Sequence, residues 1–300
     1  MFYKTRTKPT DLIFLDALNN RMDFNSEERR HYLNLKKGYE GELLFDSLTE
    51  KLQCQCLILN DLLLEINNTT FQIDTLIIVQ GKILLYEVKN YEGDYYYESD
   101  KLYKKPKFEV INPLHQLSRS ESLLRQLLLN NGYTLPIEAS IVFINPKFTL
   151  YQAPLDKPII FPTQIKNYLS RLNITPSKLT KKHQELANQL LALHITDSPY
   201  KYIPVFDYAQ LRKGIYCPKC YSYSTIIGRK KFTCKICQYE ELLDESALRT
   251  IEEFKTLFPN VKITTNAIHD WCQVLPKIRI RKILLHNFTK IGNHRWSYYE

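Results

Sequence analysis

Nowhere in the 300 residues does an uninterrupted apolar run approach the length of about 18 that a membrane-spanning helix needs. The first ten residues, MFYKTRTKPT, also lack the apolar stretch of a secretory signal. Together these absences lead to the expectation of a soluble, cytoplasmic protein with no membrane partner. Cysteine is sparse, at seven, and four of the seven fall into two Cys-x-x-Cys pairs. In a reducing compartment that pattern points to metal before disulfide. What the chain does have is 44% hydrophobic residues, enough for packed cores in two or three domains.

The formal charge of +9 is unevenly spread. Residues 1–100 hold 11 basic and 17 acidic side chains, a net of −6. The next hundred hold 13 against 6, a net of +7, and the last hundred 17 against 9, a net of +8. An acidic segment followed by two basic ones fits a metal-binding centre flanked by surfaces that attract polyanions.

The acidic segment contains the most informative stretch, FQIDTLIIVQGKILLYEVKNYEG (71–93). Two apolar runs, 73–79 and 83–88, flank Gln80-Gly81 and predict a β-hairpin. Antiparallel pairing about that turn sets Asp74 roughly opposite Glu87, and strand alternation puts Glu87 and Lys89 on one face. Carboxylates converging in an apolar sheet are costly to desolvate unless something compensates them, and a divalent cation with hard oxygen ligands would do so.

Taken in order, the chain divides into an N-terminal arm (1–35), an α/β domain (36–150), a helical connector (151–210), a small cysteine module (211–243) and a helical C-terminal module (244–300). Short helices are expected at 11–20 and 26–35, and a longer one over 36–54, with Glu42 near its start. The macrodipole accounts for Glu40 at that helix start. Residues 54–65 read as a strand in which Cys54 and Cys56 are ordinary strand residues. A Tyr-rich stretch with KLYKKPK (101–107) follows the hairpin, and it has two readings. It could stack bases and touch a nucleic-acid backbone, or it could be a sheet edge protected by charge. Pro113 and the leucines at 117, 123, 124, 127 and 128 predict a helix over 112–131, with Gln116 in its first turn. A strand at 141–144 ends the expected sheet, and helices are expected at 163–172 and 177–193.

Cys217-x-x-Cys220 and Cys234-x-x-Cys237, thirteen residues apart, can offer four thiolates to Zn²⁺. The intervening YSYSTIIGRKKFT resembles a hairpin turning at Gly228, so the segment reads as a zinc ribbon. A closed four-thiolate site is structural. Arg229, Lys230 and Lys231 crowd the turn and could meet phosphate, with protein binding as the alternative. Helices at 246–258, 264–275 and 278–288 follow, the last carrying Lys277, Arg279, Arg281 and Lys282. The final pair resembles a helix-turn-helix that would contact DNA, although plain three-helix packing would look the same. Trp271, Trp296 and Phe288 read as core.

The runs KGYEGE (37–42), FQIDTLII (71–78), LLYEVKNYEG (84–93) and NPLHQ (112–116) resemble the NERD, or nuclease-related, domain of the PD-(D/E)xK superfamily. The resemblance implies a restriction-endonuclease-like core, a mixed central β-sheet flanked by helices. It implies that Asp74, Glu87 and the Val88 carbonyl bind Mg²⁺ or Mn²⁺, that Lys89 assists the attacking water, and that Glu42 and Gln116 complete the site. The Cys-x-x-Cys module fits the nucleic-acid-related modules that family members add at the C-terminus. Ile73 stands where the superfamily pattern has proline. The implied activity is phosphodiester hydrolysis in DNA, with RNA as the other polynucleotide. The alternative is an inactive nuclease fold that binds nucleic acid or a protein partner.

Overall fold

Strand residues buried on both sides need no polar alternation, and the run from Ile73 to Val79 is buried throughout. In the computed structural model, which describes residues 2–196, 202–293 and 297–300, this run turns at Gln80-Gly81 into the second arm of a hairpin. Gly81 takes φ +83°, a conformation glycine adopts without Cβ strain.

The elements of the first two-thirds of the chain are β1 (Phe2–Lys4), α1 (Thr10–Asn19), α2 (Ser26–Thr49), β2 (Leu57–Ile66), β3 (Thr69–Val79), β4 (Lys82–Lys89), β5 (Gly93–Glu98), β6 (Lys101–Lys104), β7 (Phe108–Val110), α3 (Pro113–Asn130), β8 (Ile137–Phe143), β9 (Phe148–Tyr151), β10 (Ile159–Ile160), α4 (Ile165–Ile174) and α5 (Lys181–Ala192). Then come β11 (Thr225–Ile227), β12 (Lys231–Cys234), β13 (Glu240–Leu242), α6 (Leu243–Leu257), α7 (Thr265–Cys272), α8 (Lys277–Asn287), β14 (Lys290–Ile291) and β15 (Tyr298–Tyr299). The chain forms two compact units, one of Met1–Lys8 and Leu33–Lys201, the other of Pro9–Tyr32 and Tyr202–Glu300. Residues 1–8 thus fall in the first unit and residues 9–32 in the second.

The first unit is built on a mixed sheet of order β1-β2-β3-β4-β8-β10. Strands β2, β3 and β4 are antiparallel, and β1, β8 and β10 join in parallel. On one face Leu76, Ile78, Ile83 and Leu85 pack with Leu117, Leu124 and Leu128 of α3 and with Leu186 and Leu190 of α5. On the other, Ile77, Val79, Leu84 and Tyr86 pack with Phe45 of α2, with Leu52 just beyond its end, and with Ile165 and Leu169 of α4. The sheet does not end at the 141–144 strand, because an open strand edge leaves backbone groups to satisfy. Ile141 N–H donates to the Pro158 carbonyl at 2.9 Å, and β10 continues that pairing. A second sheet, of order β7-β6-β5-β9, forms from the Tyr-rich excursion and the strand after β8. Helix α3 starts as its sequence dictates, with Pro113 in the first turn and the Asn112 side chain accepting from Leu114 N–H.

The two helices expected over 26–35 and 36–54 are one helix, α2, since nothing between them removes a backbone donor. Its two glycines differ in role. A Cβ on Gly38 would meet nothing within 4 Å, whereas one on Gly41 would lie 2.5 Å from Asn90 Cβ. Gly41 thus lets Asn90 cross the helix closely. There Asn90 Nδ2 donates to the Lys37 carbonyl at 2.8 Å, and its Oδ1 accepts from Asn145 Nδ2 at 2.9 Å.

In the second unit α6, α7 and α8 share a core with the cysteine module, through Phe232, Ile251, Phe254, Ile268, Trp271, Ile280 and Leu284. Trp271 is fully buried and Phe288 packs at the margin, while Trp296 lies outside the described residues. At the centre the Arg21 guanidinium lies over the Trp271 ring at 4.1 Å. It donates to Glu253 and to the carbonyls of Arg212 and Gly214. A buried guanidinium is tolerable only with its donors used in this way.

The contrast between the two α2 glycines yields opposite outcomes for one substitution. Gly38→Ala should stabilise by about 0.5–1 kcal/mol, the usual helix gain. Gly41→Ala should destabilise by about 1–3 kcal/mol through overpacking against Asn90. Denaturant unfolding of both variants checks the pair, and equal shifts would contradict the close approach.

Candidate active site

Strand β3 pairs with β4 as far as Thr75↔Tyr86, and the next position along brings Asp74 beside the end of β4. There Asp74 Oδ2 accepts from Val88 N–H at 2.7 Å. Amide and carbonyl of one strand residue project to the same edge, so the Val88 carbonyl lies on the Asp74 side too. The neighbouring carbonyl, of Lys89, points the other way and accepts from Ile144 N–H at 3.0 Å. Glu87 and Lys89 share a face, and Lys89 Nζ donates to Glu87 Oε1 at 2.6 Å and to Gln116 Oε1 at 3.1 Å. Gln116 reaches it from the first turn of α3.

Glu42 approaches from α2, but a residue that sequence patterning does not single out holds it. The side chain of Arg6 is 1% exposed, and its Nη1 donates to Glu42 Oε2 at 2.7 Å. Its Nε and Nη2 grip both oxygens of Asp46, at 2.8 and 3.2 Å, and Nη2 also donates to the Asp74 carbonyl at 2.7 Å. Arg6 follows β1, whose parallel pairing with β2 delivers it to the site. No local pattern marks Arg6 in the sequence, because its partners lie 36 to 69 residues away.

Four carboxylates (Glu42, Asp46, Asp74 and Glu87) thus meet two cations, Arg6 and Lys89. With all four ionised, two negative charges would stand uncompensated in a buried place. Burial, then the Asp74 charge, pushes the Glu87 carboxyl up to about 8 despite Lys89. Burial and Asp74 push Glu42 up to about 7 against the Arg6 charge. Asp74 is raised by burial, even though Lys89, the Val88 N–H and Arg6 all favour its charged form. Burial works against the Lys89 charge, but Glu87 and Asp74 outweigh it and hold that ammonium protonated. The donor set fits a hard divalent cation, which carries the missing charge and takes oxygen ligands.

The second metal-suited group is sulfur. Cys217, Cys220, Cys234 and Cys237 place their Sγ atoms within 4.8 Å of one another. Cys217 and Cys237 sulfurs are 3.5 Å apart, and those of Cys220 and Cys234 are 3.4 Å apart. A tetrahedral zinc with Zn–S of about 2.3 Å needs edges of about 3.8 Å. In each knuckle a backbone N–H meets the first sulfur at 3.4 Å, Lys219 to Cys217 and Ile236 to Cys234. The N–H groups of Cys237 and Ile236 hold the Cys234 thiol down to about 7, burial opposing them. Among the described residues this is the one group of three or more His, Cys, Asp or Glu whose ligand atoms all lie that close, a spacing that no three of the carboxylates reach.

The basic residues named around these modules are differently engaged. Lys231 pairs with Glu240 at 2.7 Å. Arg279 pairs with Asp244 at 2.8 Å and donates to the Arg229 carbonyl, which ties α8 to the β11–β12 turn. The side chains of Arg229, Lys230, Arg281 and Lys282 are exposed.

A carboxyl whose folded pKa lies above its unfolded value binds more protons folded than unfolded, so stability falls as pH rises between the two values. The window runs from 4.5 to about 8 for Glu87 and from 4.5 to about 7 for Glu42. In EDTA the unfolding midpoint should therefore fall from about pH 5 to about pH 8. Glu87→Gln should flatten the slope, and Mg²⁺ or Mn²⁺ should recover stability at the alkaline end. A midpoint that rises over this range in EDTA would refute the charge imbalance.

Comparison with known proteins bears on this same region. No curated protein matches the chain. A solved structure that does match, the crystal structure of protein VC1899 from Vibrio cholerae, is 18% identical over 50% of this chain, with a TM-score of 0.24. The match spans 36% of that protein's length. Residues 37–144 match the family model of the nuclease-related domain, NERD, a span that holds every side chain of the carboxylate cluster except Arg6.

Proposed function

We propose that the chain is a metal-dependent nuclease that hydrolyses phosphodiester bonds in DNA. The observation that carries this reading is the convergence of Asp74, Glu87, Lys89 and Gln116 at one sheet end beside Glu42, Asp46 and Arg6, four carboxyl groups against two cations. Asp74, Glu87 and the Val88 carbonyl would hold Mg²⁺ or Mn²⁺. A metal ion there supplies Lewis-acid polarisation of a phosphate oxygen and lowers the pKa of water. Lys89 has three N–H donors, of which Glu87 and Gln116 take two. The third can orient the attacking water or neutralise charge developing on the phosphate. Gln116 fixes the ammonium without adding negative charge. Glu42, steered by the Arg6 clamp, completes or positions the metal shell.

The second unit belongs to the same reading. Four thiolates around Zn²⁺ leave no open coordination position, so that site holds structure rather than performing chemistry. The three-stranded sheet of β11, β12 and β13, with Gly228 N–H donating to the Lys231 carbonyl, supports a zinc ribbon. Arg229, Lys230 and Lys231 at its turn, together with Arg279, Arg281 and Lys282 of α8, would meet the DNA backbone. Arg279 would do so only by leaving Asp244.

Supercoiled, linear and single-stranded DNA incubated with Mg²⁺, Mn²⁺ or EDTA tests the enzyme. Metal-dependent cutting is expected, lost on the order of 10²–10³-fold in Lys89→Ala and also lost in Asp74→Ala. Binding without cutting under every condition would instead support an inactive nuclease fold. Elemental analysis should find one zinc per chain, and Cys234→Ser should lose it along with a lowered unfolding midpoint. Full stability without zinc would remove the structural role.

A further inference from the structure

The second sheet of the first unit presents a face that neither the hydrophobic core nor the carboxylate site uses. Along β5, Tyr95 is buried against Phe148, so its neighbour Tyr96 projects to the opposite side. Register places Tyr96 opposite Tyr103 of β6 and opposite Tyr151 of β9. Three tyrosines therefore stand in one row across three adjacent strands. The Tyr96 and Tyr103 rings stack at 5.1 Å, with an interplanar angle of 15°. Tyr151 lies beyond them, 44% exposed, and makes no ring contact with Tyr96. Lys105 Nζ sits over the Tyr151 ring at 3.7 Å.

Charge around the row is mixed: Glu109 lies opposite Tyr103, Asp94 and Glu98 alternate with Tyr96 along β5, and lysine dominates only the stretch from β6 into the following turn. The interval 101–107 holds four lysines and no acidic residue. Lys101 is spent on Glu109, while Lys107 is exposed and has no ion-pair partner among the described residues. Cross-strand ring contact accounts for Tyr96 and Tyr103 as sheet-stabilising residues. It does not account for Tyr151 with a cation held against it on an edge strand.

We infer that the Tyr103–Tyr96–Tyr151 row is a stacking platform for the unpaired bases of a single-stranded nucleic acid, with Lys105 and Lys107 meeting its phosphates. Aromatic rings interleaved with lysine, Tyr151 exposed and Tyr96 and Tyr103 half-buried, suit bases whose faces are free, and every base has such a face. A duplex keeps its base faces inside the stack, so it could use the lysines but not the rings. Strand β5 begins four residues after Lys89, and the platform belongs to the same unit as the carboxylate cluster.

The test is binding by the full chain in EDTA, so that its outcome is independent of whether the protein cuts. Labelled oligothymidylate and a labelled duplex of equal length are compared by fluorescence anisotropy. Tyr151→Ala and Tyr96→Ala should each weaken oligothymidylate binding by about 5- to 100-fold, with duplex binding unchanged. Tyr151→Phe, which keeps the ring, should bind as the unsubstituted protein does. Lys105→Ala should weaken both ligands and reduce the salt dependence of binding. Oligothymidylate binding that survives both alanine substitutions, or is absent in the unsubstituted protein, would overturn the inference. Equal loss on duplex and single strand would do the same, and unchanged melting midpoints separate such results from misfolding.

Discussion

Desolvation of carboxylates at the open end of one hairpin is the constraint on which the first unit depends. Asp74 and Glu87 are 6% and 1% exposed, and a sheet interior offers little to replace the water they lose. What the fold offers is specific: one backbone N–H from Val88, one ammonium from Lys89 and one guanidinium from Arg6. These do not suffice, and the raised Glu87 and Glu42 carboxyls measure the shortfall. Burying an acid without full compensation destabilises the metal-free fold, and such arrangements are characteristic of sites tuned for a ligand.

That constraint also explains why so many elements end at the same place. Helix α2 brings Glu42 and Asp46, and its Gly41 removes a Cβ so that Asn90 can follow Lys89 across the helix. Helix α3 starts at the Asn112 cap, which sets Gln116 one turn in, facing Lys89. Strand β1 is three residues long and adds little burial, yet its pairing delivers the one cation among the described residues that touches Glu42, Asp46 and the Asp74 backbone together. The second unit solves a different problem. Its cysteine module shares the apolar core of α6, α7 and α8, and its four sulfurs lie at metal-ligand spacing.

Much of the first unit was legible in the chain. The Gln80-Gly81 turn, the helix at Pro113 and the order of helix, three strands, excursion, helix and strand all follow from apolar spacing and turn residues. Those signals are local, and the folded chain obeys them. The Asp74–Glu87 juxtaposition was legible too, because an antiparallel register about a tight turn leaves little choice. The sheet was under-counted for the opposite reason. Strands β1 and β10, of three and two residues, have no periodicity to detect and exist because larger strands offer open edges.

The amino-acid sequence by itself determined the hairpin, its acidic pair with Lys89, the four-cysteine spacing and the leucine-faced helix bearing Gln116, since each is written in neighbours a few residues apart. Only the tertiary structure decided that Arg6 clamps Glu42, that α2 is continuous, that Arg279 is held by Asp244, and that Tyr96, Tyr103 and Tyr151 form one row. Each of those depends on strand register or on a contact across tens of residues, where one-dimensional pattern carries no information about which charges and rings will meet.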